Sequence, residues 1–148
     1  MKQIESNSLG YLLSTCNNQL IKSLNRELVG AKLELTREQY IVLSILWEKD
    51  LVNQQFLADT LGKERYSITK LVDGLEKRKL VKRVPSENDR RAKLIIVTLK
   101  ALEIRPLVSK VVDTTLHNAI LNIPEKDIEI TKSVLEKIIM NVSRFNEN

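Results

Sequence analysis

From Leu9 the apolar residues Leu9, Leu12, Leu13, Cys16, Leu20, Leu24 and Leu28 return every three or four positions. That period predicts a long amphipathic helix closing near Val29–Gly30. Next comes Thr36-x-x-Gln39, a capping box, with Leu35 and Tyr40 at hydrophobic-staple spacing. It predicts a second helix that buries Tyr40, Leu43, Leu46 and Trp47 and stops near Asp50. Asn53 caps a short third helix ending at Leu61, where Gly62 supplies a left-handed stop. A fourth helix is predicted from about Arg65 to Lys79. Its residues Ile68, Leu71, Val72 and Leu75 make a narrow inward stripe, and Tyr66, Lys70, Asp73 and Lys77 gather opposite. Gly74 inside it costs about 1 kcal/mol relative to alanine.

The period then changes. Leu80–Val84 and Leu94–Val97 are β-rich runs flanking the polar loop PSENDRRAK, which predicts a hairpin with a basic tip. Thr98 caps a fifth helix, in which Pro106 lies too deep to be a first-turn proline, so a kink or a broken first turn is expected there. Pro124 opens a last helix whose Ile128, Thr131, Leu135, Ile138, Val142 and Phe145 alternate steps of three and four, a seam that wants a partner helix. The predicted class is mainly α with a small β-hairpin: helix, short turn, helix, wing.

Composition narrows the function. With 43% hydrophobic and 29% charged residues, the 148-residue chain reads as a soluble globular protein. It lacks any uninterrupted apolar run of about 18 residues that could span a membrane. The start MKQIESNSLG has no secretory pattern, so a cytoplasmic protein is expected. Cys16 has no partner for an internal disulfide. It lies on the apolar stripe with no neighbouring base, so a small buried core residue is favoured over a peroxide-sensing thiol. His117, the one histidine, is read as a surface or interface residue, with a place in an effector pocket as the alternative. Tyr40 and Trp47 are read as core residues first and as the border of a ligand cavity second. The chain has no Gly-rich phosphate loop, no HExxH and no nucleophile–histidine motif, so no enzyme, cofactor or metal site is expected.

The net charge of +5 says less than its placement. Between Gly62 and Lys93 lie eleven cations (Lys63, Arg65, Lys70, Lys77, Arg78, Lys79, Lys82, Arg83, Arg90, Arg91 and Lys93). They face five acids (Glu64, Asp73, Glu76, Glu87 and Asp89), so this stretch carries +6 and the remainder −1. A polyanion-binding surface needs that concentration. A helix fits the major groove of B-DNA, and the exposed start of the fourth helix offers Arg65, Tyr66, Ser67, Thr69 and Lys70 to base edges and phosphates. The hairpin tip, with Arg90, Arg91 and Lys93, suits the adjacent minor groove, where arginine is favoured.

The strings LTREQYIVLSILWEKD, FLADTLG, SITKLVDGLEKRKLVKR and NDRRAKLIIVT resemble the MarR/SlyA family of bacterial transcription regulators, in register from about Leu35 to Ala101. The most specific piece is Asp89-Arg90-Arg91 between two strands, at its distance from Leu75–Leu80 and followed by Val97-Thr98. The resemblance implies a winged helix-turn-helix over about residues 35–101 within a single 148-residue protomer. Dimerisation helices over about 5–30 and 106–146 complete it. It implies the recognition-helix residues named above in the major groove, Arg90 and Arg91 in the minor groove, and Asp89 as the wing acid that holds the arginines by a salt bridge. The start of the third helix, Asn53 to Gln55 with Gln54 at its centre, is implied to meet phosphate. The implied partner is a double-stranded, pseudo-palindromic operator read by a homodimer, with half-sites about one helical turn apart. Sequence-specific repression is favoured over activation, and modulation by a small aromatic or phenolic effector is left open. A winged-helix adaptor that binds protein is the alternative, and it predicts a wing without concentrated arginine. Two departures stand out: Lys79 where the family has Gly at the end of the recognition helix, and Glu64 in place of a Ser or Asp cap.

Overall fold

Local capping fixes where most of the helices start. In the computed structural model, which describes residues 8–89 and 91–147, the Ser8 hydroxyl accepts the Tyr11 N–H and opens α1 (Leu9–Gly30). Both arms of the predicted capping box are formed at α2 (Arg37–Glu48), and Asn53 accepts the Phe56 N–H to open α3 (Gln54–Leu61). Gly62 ends α3 at φ +60°. α4 (Arg65–Lys77) starts from Glu64 with no side-chain cap bond. Strands β1 (Val81–Pro85) and β2 (Lys93–Val97) pair antiparallel from Val81↔Val97 to Pro85↔Lys93. The Ile95 N–H donates to the Val52 carbonyl at 2.7 Å, which ties the hairpin root to the segment before α3. α5 (Leu99–Ala119) and α6 (Glu125–Asn146) complete the chain. Among the described residues no helix is long and apolar enough to cross a membrane.

The chain divides into two compact units, one through Thr115 and one from Leu116 onward. In the first, Val42, Leu43 and Leu46 of α2, Leu57 of α3, Ile68, Val72 and Leu75 of α4 and Ile95 of β2 form a closed core with Leu28 and Val108. Burying such side chains is the main force that seats α4. In the second unit α6 buries nothing completely. Ile128, Leu135 and Ile138 are half-buried, and Thr131, Val142 and Phe145 are exposed.

Several local expectations are corrected. Tyr40 and Trp47 are half-buried, and Val42 with Gln39 fills the inner face of α2 that they were expected to occupy. Cys16 is exposed, as are Leu9, Leu12 and Leu13 on the same early turns of α1, which among the described residues leave that stripe uncovered. Pro106 neither breaks α5 nor disturbs its first turn, which is held by the Leu102 N–H on the Thr98 carbonyl and the Ala101 N–H on the Thr98 hydroxyl. Pro106 and Leu102 both lie on the exposed side, where water can satisfy the carbonyl that proline leaves unpaired.

Gly74 does more than weaken a helix. A Cβ there would sit 2.7 Å from Gln39 Nε2. The space it leaves admits the Gln39 amide, whose oxygen accepts the Thr36 N–H at 3.1 Å and Arg78 Nη1 at 2.9 Å. The cap of α2 and the end of α4 are thus joined through one side chain.

α4 ends two residues earlier than predicted, because Lys79 turns the chain at φ +61°. Its N–H donates to the Glu76 carbonyl and the Leu80 N–H to the Leu75 carbonyl, so the last carbonyls of the helix are satisfied. A Cβ in this region is strained, and glycine is not. Lys79→Gly is therefore expected to raise stability by about 0.5–1 kcal/mol after the entropic penalty of glycine. The check is the denaturant midpoint, which should rise without a change in slope.

Candidate nucleic-acid interface

The core stripe of α4 points its other side outward. Arg65, Tyr66 and Lys70 are exposed, with Tyr66 at 67%, and the Lys70 ammonium lies 4.8 Å from the centre of the Tyr66 ring. Ser67 and Thr69 are half-buried. The Thr69 hydroxyl donates to the Arg65 carbonyl at 3.0 Å and accepts from Gln54 Nε2 at 2.7 Å. The side chains of Gln54 and Thr69 are thus bonded to one another, which fixes the start of α3 against α4.

At the wing tip the Asp89 carboxylate accepts the Arg91 N–H at 2.9 Å, and its carbonyl accepts the Ala92 N–H at 3.1 Å. The Ser86 N–H donates to the Ala92 carbonyl at 2.9 Å and closes the loop. Among the described residues Asp89 and Arg91 form no ion pair, and the expected salt bridge from Asp89 to Arg90 lies outside the described residues. It stabilises the tip through the backbone, as a short acidic side chain in a turn can. Arg91 and Lys93 are exposed; Arg90 lies outside the described residues.

Pairing sorts the ten of these cations that lie among the described residues. Lys63 is 3.1 Å from Glu38, which also meets Arg37 at 2.7 Å. Burial pushes the Glu38 carboxyl up, but the two cations outweigh it and hold it below the usual carboxylate range. Arg78 donates to Gln39 and to the Glu34 carbonyl. Arg83 is paired with Asp73 at 2.7 Å and Glu76 at 3.1 Å. Arg65, Lys70 and Lys77 on α4, Lys79 and Lys82 at the root of the hairpin, and Arg91 and Lys93 at its tip remain exposed.

Sequence reasoning counted Arg83 only as one more cation. Strand alternation was the available signal: Arg83 follows Val81 by two residues and so shares its inward face. No group of three or more His, Cys, Asp or Glu side chains among the described residues could hold a metal ion.

The model of the MarR family matches residues 35–93. The transcriptional regulator MgrA of Staphylococcus aureus is 31% identical over 111 residues, covering 75% of this chain and 74% of its own. CouR of Rhodococcus jostii RHA1, solved with p-coumaroyl-CoA, is 31% identical with a TM-score of 0.77, covering 92% of this chain and 94% of CouR. A mutant MarR of E. coli, solved in complex with operator DNA, shares the fold at a TM-score of 0.81 and 23% identity, covering 88% and 92%. With a regulator matched at this identity along most of both chains, the protein belongs to the MarR family of transcriptional regulators.

Proposed function

We propose that this regulator binds a pseudo-palindromic double-stranded operator as a homodimer in the cytoplasm and acts chiefly as a repressor. The observation that carries the reading is the joint exposure of Arg65, Tyr66 and Lys70 on α4 and of Arg91 and Lys93 on the wing, within one packed unit. One element fits the major groove and the other the minor groove beside it. Arg90 belongs to the same proposed tip. Gln54, Ser67 and Thr69 line the approach; the backbone N–H groups that open α3 are the donors to phosphate, and the Gln54–Thr69 bond holds α3 against α4 beside them. A homodimer is supported by the apolar side chains left uncovered on α1 and α6, among them Leu9, Ile139 and Phe145. Repression is the simpler outcome, since a bound dimer excludes other proteins from its site without any further contact.

A small aromatic or phenolic effector belongs to the same reading. Lys32, Arg78 and Lys100, against the one acid Glu34, line a cleft of about 210 Å³ together with Leu33 and Leu80, and this excess of cations suits an anion with an apolar body. CouR's ligand is a thioester of a phenolic acid. No enzymatic step is assigned.

The test is selection of bound duplexes from a random pool, followed by affinity against salt. A palindromic motif is expected, with log affinity falling against log salt by about 0.9 per phosphate neutralised. A flat salt response with no duplex retained would replace this reading with the protein-binding adaptor.

A further inference from the structure

Arg83 is a cation of the winged unit whose charge is engaged within the protein. Its side chain is only 16% exposed. Every guanidinium nitrogen has a partner: Nη2 meets Asp73 at 2.7 Å and Gln54 at 3.1 Å, Nη1 meets Glu76 at 3.1 Å, and Nε meets Gln54 at 3.3 Å. The Arg83 backbone N–H also donates to Glu76 at 3.2 Å. The four residues stand on three different elements. Asp73 and Glu76 belong to α4, Gln54 opens α3, and Arg83 itself is in β1, the strand that carries the wing. Gln54 extends the chain of bonds to Thr69 and so to the DNA-facing side of α4.

We propose that Arg83 is a positioning residue that locks the wing to the recognition helix, so that the two elements meet their grooves in one fixed relative setting. A two-stranded hairpin has little stability of its own, and its root here is held by a few apolar side chains. A planar guanidinium presents donors in fixed directions, so engaging acceptors on α3 and α4 at once constrains angle as well as distance. The two acids have a matching role. Asp73 and Glu76 would repel phosphate if unpaired, and Arg83 offsets half of their charge while drawing geometry from the pairing.

The proposal rests on the DNA-binding reading above, and it makes a prediction opposite in sign to simple electrostatics. Asp73→Asn/Glu76→Gln removes two negative charges from the binding unit, which by charge alone should tighten operator binding. With the lock removed, affinity is instead expected to fall about tenfold, within the range of couplings measured for linked side chains. Arg91→Ala should then cost several-fold less in this background than in the wild type, because a loosened wing presents its tip poorly. Asp73 and Glu76 have side chains 60% and 44% exposed, so the double variant should fold. Glu76→Gln alone is the second variant, expected to show a smaller loss in the same direction. Without DNA, the Arg83 Nε–H resonance should be protected from water exchange in the wild type and lost in the double variant. Unchanged or tighter operator binding in the acid variants, or an Arg91→Ala effect that is the same in both backgrounds, would overturn the lock. Failure of the wild type to retain any duplex would overturn the DNA reading instead, and the resonance still reports on the lock.

Discussion

Arg91→Ala is expected to weaken operator binding about ten- to a hundredfold while leaving the thermal midpoint of the free protein nearly unchanged. The Arg91 side chain is exposed and makes no ion pair among the described residues, so its removal takes little from the folded state. What holds the tip is the Arg91 backbone N–H on Asp89, and alanine keeps that bond. A guanidinium set in a narrow minor groove is strongly favoured by the local potential, and its loss falls entirely on the complex. Anisotropy titration across a salt series checks both parts. Affinity should drop, and the salt slope should flatten by about one if the contact includes phosphate. Equal affinity for wild type and variant would take the wing out of DNA binding.

That prediction separates a side chain from the backbone bond beside it, and the same separation decides what the sequence can reveal. The order of elements was legible because their punctuation is local: Thr36 with Gln39, Asn53 with Gly62, and Thr98 each act within a short stretch of chain. The inward stripe of α4 was legible for the same reason, since Ile68, Val72 and Leu75 repeat at the helical period. Pairings between distant segments were not. Arg83 meets residues seven, ten and twenty-nine positions away, and nothing in the local pattern separates it from the exposed Lys82 beside it except strand alternation. Gly74 read as a weak point, although it makes room for a side chain 35 positions earlier. Cys16 read as core because an amphipathic stripe records that a face wants cover, without recording whether the cover comes from the same chain. The same ambiguity runs through α6.

Leu135→Asp addresses that ambiguity directly and should convert the proposed dimer into a monomer. Leu135 is half-buried at the centre of α6, and Ile139, Val142 and Phe145, which share its side of the helix, are 50–80% exposed. A face this apolar lowers its free energy by meeting another such face, and a two-fold pairing sets each residue against the same surface twice. An unpaired carboxylate buried there costs about 3 kcal/mol or more, and symmetry doubles it. The dimer dissociation constant should rise by roughly four orders of magnitude on that basis. Sedimentation equilibrium should then show a monomer, with operator affinity falling in parallel because one wing and one recognition helix must act alone. The helix caps and the core built on Leu43, Ile68 and Ile95 do not involve α6, so the winged part should keep its circular dichroism. A folded Leu135→Asp monomer that binds the full operator as tightly as wild type would show that the α6 seam has no part in recognition.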